Sequence, residues 1–307
     1  MITSFFKKSK SINFIIVFLI SLLAIVIGKL LRVEEGFSFG LLGKLLGTVL
    51  IVFASILLLN FIVNKNNLSQ NDSLSIFLFS LFLLLFTQST IYFNILISNF
   101  FVLLALRRLM SLRTRKNIKE KLFDAAFWIA VASLFYFWSI LFFALVILSL
   151  VLFSDGNLRH WIVPFLGVLA VFVLSTATSI IIYNTYFGFI TETYNISLDF
   201  SVYNSVSYLI AITLLFSFGA WSSFFYLNNI KKKKKAFRAS FTTIIFAVII
   251  AFLIILIVPN KNGSEFLFLF APLAIVITNY LEIIKEKWFK ELFLGILIVV
   301  PFVVLML

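Results

Sequence analysis

The sequence predicts an all-α fold, a polytopic membrane helix bundle of about eleven transmembrane segments. Three observations carry that prediction. With 63% hydrophobic and 12% charged residues and a mean hydropathy of +1.16, the chain holds more apolar surface than a water-soluble core of 307 residues could enclose. Apolar stretches recur along its whole length, each bounded by polar or basic residues. The 25 Lys/Arg gather in clusters that a consistent threading places on one side of a bilayer, as the positive-inside bias requires. That bias also accounts for the net charge of +13, so nucleic acid is excluded as a partner and membrane lipid is implied. The chain has no Cys, so it forms no disulfide. No repeat of fixed period is visible, and residues 1–307 read as a single polytopic membrane domain.

Lys7, Lys8 and Lys10 precede the first apolar stretch, Ile12 to Lys29, which at about 1.5 Å per residue just spans a hydrocarbon core of about 30 Å. Basic residues before the first span place the N-terminus in the cytoplasm, and without a small-residue cleavage site the segment reads as an uncleaved helix. Gly36 to Val63 carries Gly36, Gly40, Gly43 and Gly47 on one helical face, spaced for close helix packing. Ser73 to Phe86 and Ile91 to Leu106 form a pair joined through Thr87-Gln88-Ser89-Thr90. They lead into a basic loop with Arg107, Arg108, Arg113, Arg115, Lys116, Lys119 and Lys121.

The next apolar run, Leu122 to Phe153, would be about 48 Å long as a single helix, beyond a bilayer even with tilt. Charge decides how it is threaded. One crossing would send Lys231 to Lys235 and Arg238 to the far side. A hairpin broken at Tyr136 to Ser139, with arms Leu122 to Phe135 and Ser139 to Phe153, keeps every Lys/Arg cytoplasmic except Lys29, Arg32, Lys44 and Lys261.

After Arg159-His160-Trp161, a span from Ile162 to Tyr183 has Ser175, Thr176, Thr178 and Ser179 positioned to bond their own helix carbonyls. The external segment Asn184 to Tyr203 is rich in aromatics and reads as a helix lying along the interface. It includes Asn195-Ile196-Ser197, a short match to a glycosylation acceptor. Ser205 to Leu227, Phe241 to Val258, Phe266 to Ile284 and Leu292 to Leu307 complete the bundle and place the C-terminus outside.

Candidate chemistry is sparse. One His and no Cys exclude most metal sites. Asp124 and Glu282 lie near Lys121 and Lys285 at helix ends and read as ion pairs. No acid falls clearly in mid-membrane, which argues against ion-coupled transport. The remaining acids, Glu34, Glu35, Glu192, Asp199 and Glu265, are all external in this topology, and Glu34-Glu35 directly follow the first span.

That acidic pair, together with the hairpin Leu122 to Tyr136, its apolar return and Arg159-His160-Trp161, resembles the membrane glycosyltransferases of the GT-C type over about Ile12 to Tyr183. Those enzymes carry an acid in the first external loop and paired short helices. The chain is also similar to uncharacterised bacterial integral membrane proteins, some labelled as carotene-cleaving. A single His cannot supply the several His ligands of a carotenoid-cleaving iron site. The GT-C resemblance implies transfer of a sugar from a polyprenyl-phosphate donor at the outer face of the inner membrane. Glu34 or Glu35 would be the general base and Arg32 or Lys44 would contact the phosphate. It implies no organic cofactor, though the Glu34/Glu35 pair could hold a divalent metal. Two other functions fit the same residues: a non-catalytic membrane subunit packed against a membrane protein partner, and a lipid or solute transporter.

Overall fold

The computed structural model describes residues 5–6, 11–30, 39–70, 73–153, 159–186 and 195–307. Among these residues there are eleven α-helices and no strand. In chain order the helices are α1 (Ser11–Leu30), α2 (Phe39–Lys65), α3 (Leu74–Leu85), α4 (Phe93–Ser111), α5 (Ile118–Phe135), α6 (Phe143–Phe153), α7 (Arg159–Tyr183), α8 (Val206–Ile230), α9 (Lys235–Ile257), α10 (Leu267–Ile283) and α11 (Lys287–Met306). Eight of them (α1, α2, α4 and α7 to α11) are long and apolar enough to cross a membrane.

Two helices form the centre. All twelve residues of α3 are buried, and so is every residue of α10 from Leu267 to Leu281. At twelve residues α3 rises only about 18 Å, too short to cross a bilayer, so its ends need protein around them and it belongs in the middle of a bundle. There α3 and α10 pack on each other, with Phe79 and Phe82 of α3 against Phe270 of α10. The flanking helices α1 and α2 pack on α3, α8 and α9 pack on α10, and α11 touches both α3 and α8. Next to α2 comes α4, which carries α5, and α7 lies against α5.

The loops sort to two ends. At one end the Arg113 guanidinium lies 4.3 Å from the centroid of the Phe237 ring and donates to the Asn66 carbonyl. Asn279 donates to the Leu68 carbonyl and Glu282 accepts from the Gln70 amide. Segments 64–70, 111–117, 231–238 and 282–286 therefore meet there. Phe6 joins them, stacked 4.1 Å from Phe77 and accepting from the Ser73 amide. This is the basic end. At the far end Phe86 stacks on Phe266 at 4.5 Å, and Tyr203 and Tyr208 lie beside them.

The run Leu122 to Phe153 is broken as its length and charge require. Helix α5 stops at Phe135, Tyr136 is extended (φ −149°, ψ 103°), and a 3-10 turn, Phe137–Phe142, leads into α6. Tyr136 and Phe142 both pack on Phe268 at the start of α10. From there α6 returns to touch the turn Leu112–Thr114 at the basic end. Its eleven residues span only about 16 Å.

Two expectations need correction. The glycine face of α2 is not a packing seam. A Cβ at Gly43 would meet nothing within 4 Å and Gly40 is exposed, while Gly47 alone of the three described glycines abuts a neighbour, the Phe93 ring. Gly36 lies outside the described residues. The expected surface helix between Asn184 and Tyr203 is also missing from its described part. Residues 195–200 are irregular and only Ser201–Tyr203 form a 3-10 turn, because backbone and side-chain bonds to the α9–α10 loop replace helical ones. The Ser197 amide, for one, donates to the Ile257 carbonyl.

The close approaches are elsewhere. A Cβ built at Gly28 of α1 would lie 2.5 Å from Thr90 Oγ1 and 2.8 Å from the Thr87 carbonyl oxygen, so α1 docks on the buried Thr87–Thr90 turn only through a bare backbone. Gly28→Ala is expected to cost about 1–3 kcal/mol by overpacking. Gly43→Ala, with open space around it, should be neutral or stabilising by up to about 1 kcal/mol through helix propensity. Thermal unfolding of the two variants in detergent compares them directly, and a more stable Gly28→Ala would refute the docking.

Candidate functional site

Three of the four residues proposed from the sequence as site residues, Arg32, Glu34 and Glu35, lie outside the described residues. The fourth, Lys44, is exposed on α2, and its carbonyl accepts from the Thr48 hydroxyl. Among the described residues no group of three or more His, Cys, Asp or Glu could hold a metal.

What the structure does assemble is a polar knot at the far end, centred on Glu265. The tight turn that precedes α10 positions this acid. Gly263 has φ +87°, a left-handed conformation that suits glycine, and a Cβ there would fall 2.7 Å from the Tyr208 ring. The turn folds the chain back so that Glu265, in a 3-10 segment leading into α10, accepts from the amides of Gly263 (3.1 Å) and Asn262 (3.3 Å). A carboxylate is well placed there, at the N-terminal end of a helix and reaching back to loop amides that have no helical partner. Its third donor is the Tyr203 hydroxyl, from more than sixty residues away in sequence. Tyr208 donates to the Asn262 carbonyl, and Asn262 Oδ1 accepts from both the amide and the hydroxyl of Ser264.

Lys261 closes the knot from the other side. Its ammonium donates to the carbonyls of Ser197 (2.6 Å) and Val258 (2.7 Å) and lies 4.7 Å from the centroid of the Phe200 ring. Burial pulls this ammonium below the ordinary lysine value, and the nearby charges of Glu265 and Asp199 work against that pull. The backbone amide of Ser201 holds the Asp199 carboxyl below its usual value. Burial, with the negative charge of Glu265 next, pushes the Tyr203 hydroxyl far above its usual value, so Tyr203 remains a donor at any physiological pH. Glu265 is 1% exposed and holds three donors. That is the environment of a structural tie.

Two clefts open on the apolar surface. One, about 270 Å³, lies between α5 and α7 toward the far end, lined by Val131, Leu134, Val171, Thr178 and Tyr183. The Ser175 and Thr178 hydroxyls on its wall donate back to their own helix, as their spacing implied. The other, about 400 Å³, lies at the basic end between Phe225, Tyr280, Lys285 and Trp288.

A family model described as a family of unknown function, DUF6427, matches residues 1–306. The chain belongs to DUF6427. No curated protein and no solved structure matches this DUF6427 chain.

In the sequence, Glu265 stands only among the external acids. The run Asn262-Gly263-Ser264-Glu265 ahead of an apolar helix is a legible start signal, but nothing local points to Tyr203 as its partner. If the knot is structural, Tyr203→Phe, which strips a donor from a buried carboxylate, should cost about 1–3 kcal/mol of stability. Glu265→Gln should likewise lower the unfolding temperature. Loss of cellular function by Glu265→Gln at unchanged unfolding temperature would instead mark Glu265 as a functional acid.

Proposed function

We propose that this DUF6427 chain is a multi-pass inner-membrane protein, with its N-terminus cytoplasmic and its C-terminus outside, and that it serves as a non-catalytic membrane subunit of a larger assembly. The observation that carries the topology is the contact between Arg113 and Phe237, which gathers the two richest basic segments at one end. Clustered Lys and Arg are retained on the cytoplasmic side, so that end faces inward and the Glu265 knot faces out. The exterior supports the same reading. Leu50 is 68% exposed, Phe224 62% and Ile181 79%, and large apolar side chains are stable at such exposure when hydrocarbon covers them.

The subunit reading follows from how the acids are used. Asp124 pairs with Arg108 at 3.0 Å, Asp199 caps the turn at Ser201, Glu265 ties the far end and Glu282 accepts from the Gln70 amide. Each of these carboxylates has a structural partner, within one turn for Asp199 and between elements for Asp124, Glu265 and Glu282.

The second reading is the GT-C-type glycosyltransferase, using a polyprenyl-phosphate-linked sugar at the outer face. What supports it is the broken hairpin, α5 with a shorter return through Phe137–Phe142 and α6, a pair of short helices of the kind the resemblance leads one to expect. In it Glu34 or Glu35 is the base and Arg32 or Lys44 contacts the phosphate.

Because the chain has no Cys, labelling single substitutions is unambiguous. Cys at Ser111 and at Asn229 should react with an impermeant maleimide from the same side of the membrane, and labelling from opposite sides would overturn the topology. The Glu34→Gln/Glu35→Gln double variant should complement a strain lacking the native copy. A rate loss of about 10²- to 10⁴-fold in the folded, inserted variant would instead favour the enzyme.

A further inference from the structure

We propose that the junction of the two basic turns binds an anionic lipid with two phosphates, of the diphosphatidylglycerol class, drawn from the adjoining leaflet. This rests on the membrane-spanning reading above and names the partner at its basic end.

The turns are short. Arg115 to Asn117 alone connect the 3-10 end of the α4 span to α5, and Lys231 to Lys234 alone connect α8 to α9. A turn of three or four residues between apolar helices holds its cationic side chains close to the depth of the lipid phosphates. A soluble acidic protein would have to descend to that depth, whereas a lipid headgroup already occupies it.

The turns also form one surface. Arg113 on the Phe237 ring brings the two together. The backbone carbonyls at the junction engage some of the cations and so fix the shape. Arg238 donates to the carbonyls of Lys233 (3.0 Å) and Lys231 (2.7 Å), and Lys121 donates to the Ser111 carbonyl (2.8 Å) and the Thr114 hydroxyl (2.7 Å). Lys233 lies over the Phe241 ring. With the turns held this way, Lys116 and, at the start of α5, Lys119 stand exposed on one side, and Lys231, Lys232, Lys234 and, at the start of α9, Lys235 on the other. Two adjoining cationic groups suit two phosphates on one headgroup, and a single phosphate would engage only one of them. Acyl chains have a matching wall in the exposed Phe224 and Leu227 of α8, directly below the Lys231 turn.

The test is native mass spectrometry of the full chain released from nanodiscs containing equal amounts of phosphatidylglycerol and diphosphatidylglycerol. The wild type should retain diphosphatidylglycerol preferentially. The variant K231Q/K232Q/K234Q/K235Q should lose that retention about tenfold, and the corresponding Lys→Arg variant should keep it. The control K285Q/K287Q/K290Q, also at the basic end, should stay within about twofold of wild type. Unchanged retention in the four-Gln variant, equal loss in the control, or competition by inorganic pyrophosphate at equal concentration would overturn the lipid site. Alkaline carbonate extraction, run in parallel, reports membrane integration alone. An extracted chain would fail the membrane reading, while an integrated chain without lipid preference would sink only this proposal.

Discussion

The structure depends on the burial of one helix pair. Protein encloses all of α3 and the Leu267–Leu281 stretch of α10, and the two pack on each other across the Phe79–Phe82–Phe270 cluster. Once they occupy the centre, the shortness of α3 becomes tolerable. Its twelve residues rise about 18 Å, so the chain turns back at Thr87–Thr90, beside Phe266 at the far end, before it has risen the roughly 30 Å of a hydrocarbon core. Backbone outside a helix is stable at that depth only when protein surrounds it. Gly28 of α1 provides that cover, and the Thr90 hydroxyl donates to the carbonyls of Thr87 and Ala24.

The outer helices solve a different problem. They bury one side against a neighbouring helix and leave the other apolar, and α7, packed on α5, is the extreme case. Its small residues Gly167, Ser175 and Ser179 face inward, where a Cβ on Gly167 would lie 2.7 Å from the Phe123 carbonyl, while Ile162, Phe165, Leu169 and Ile181 face out. Polar chemistry is thus driven to the two ends. One gathers cations on short turns. The other spends its buried charges, Glu265 and Lys261, on tying loops to the start of α10.

Much of the architecture was legible in the residues because hydrocarbon thickness and positive charge are strong, additive constraints. Eleven apolar stretches correspond to the eleven helices among the described residues, and the break at Tyr136 followed from length and charge. The details that failed were those set by packing. Four glycines at helical spacing on α2 look like a seam, yet the tight contacts use Gly28 and Gly167, whose spacing signals nothing. The aromatic segment before α8 looks amphipathic, but the bonds that shape residues 195–203 come from Ile257, Lys261 and Glu265, which local reading does not reach. Glu265 was readable as an acid at a helix start, and its burial was not, because burial depends on Tyr203 arriving from a distant loop.

The central claim is that hydrocarbon covers the apolar exterior around a buried α3–α10 pair. Power-saturation EPR tests it most directly, with single spin labels at Leu50, Ile181 and Val299 in the otherwise cysteine-free chain reconstituted into liposomes. The account predicts that dissolved oxygen reaches all three labels more readily than a water-soluble nickel chelate does, with a label at Leu273 shielded from both. Greater access of the chelate to the three outer positions would contradict it.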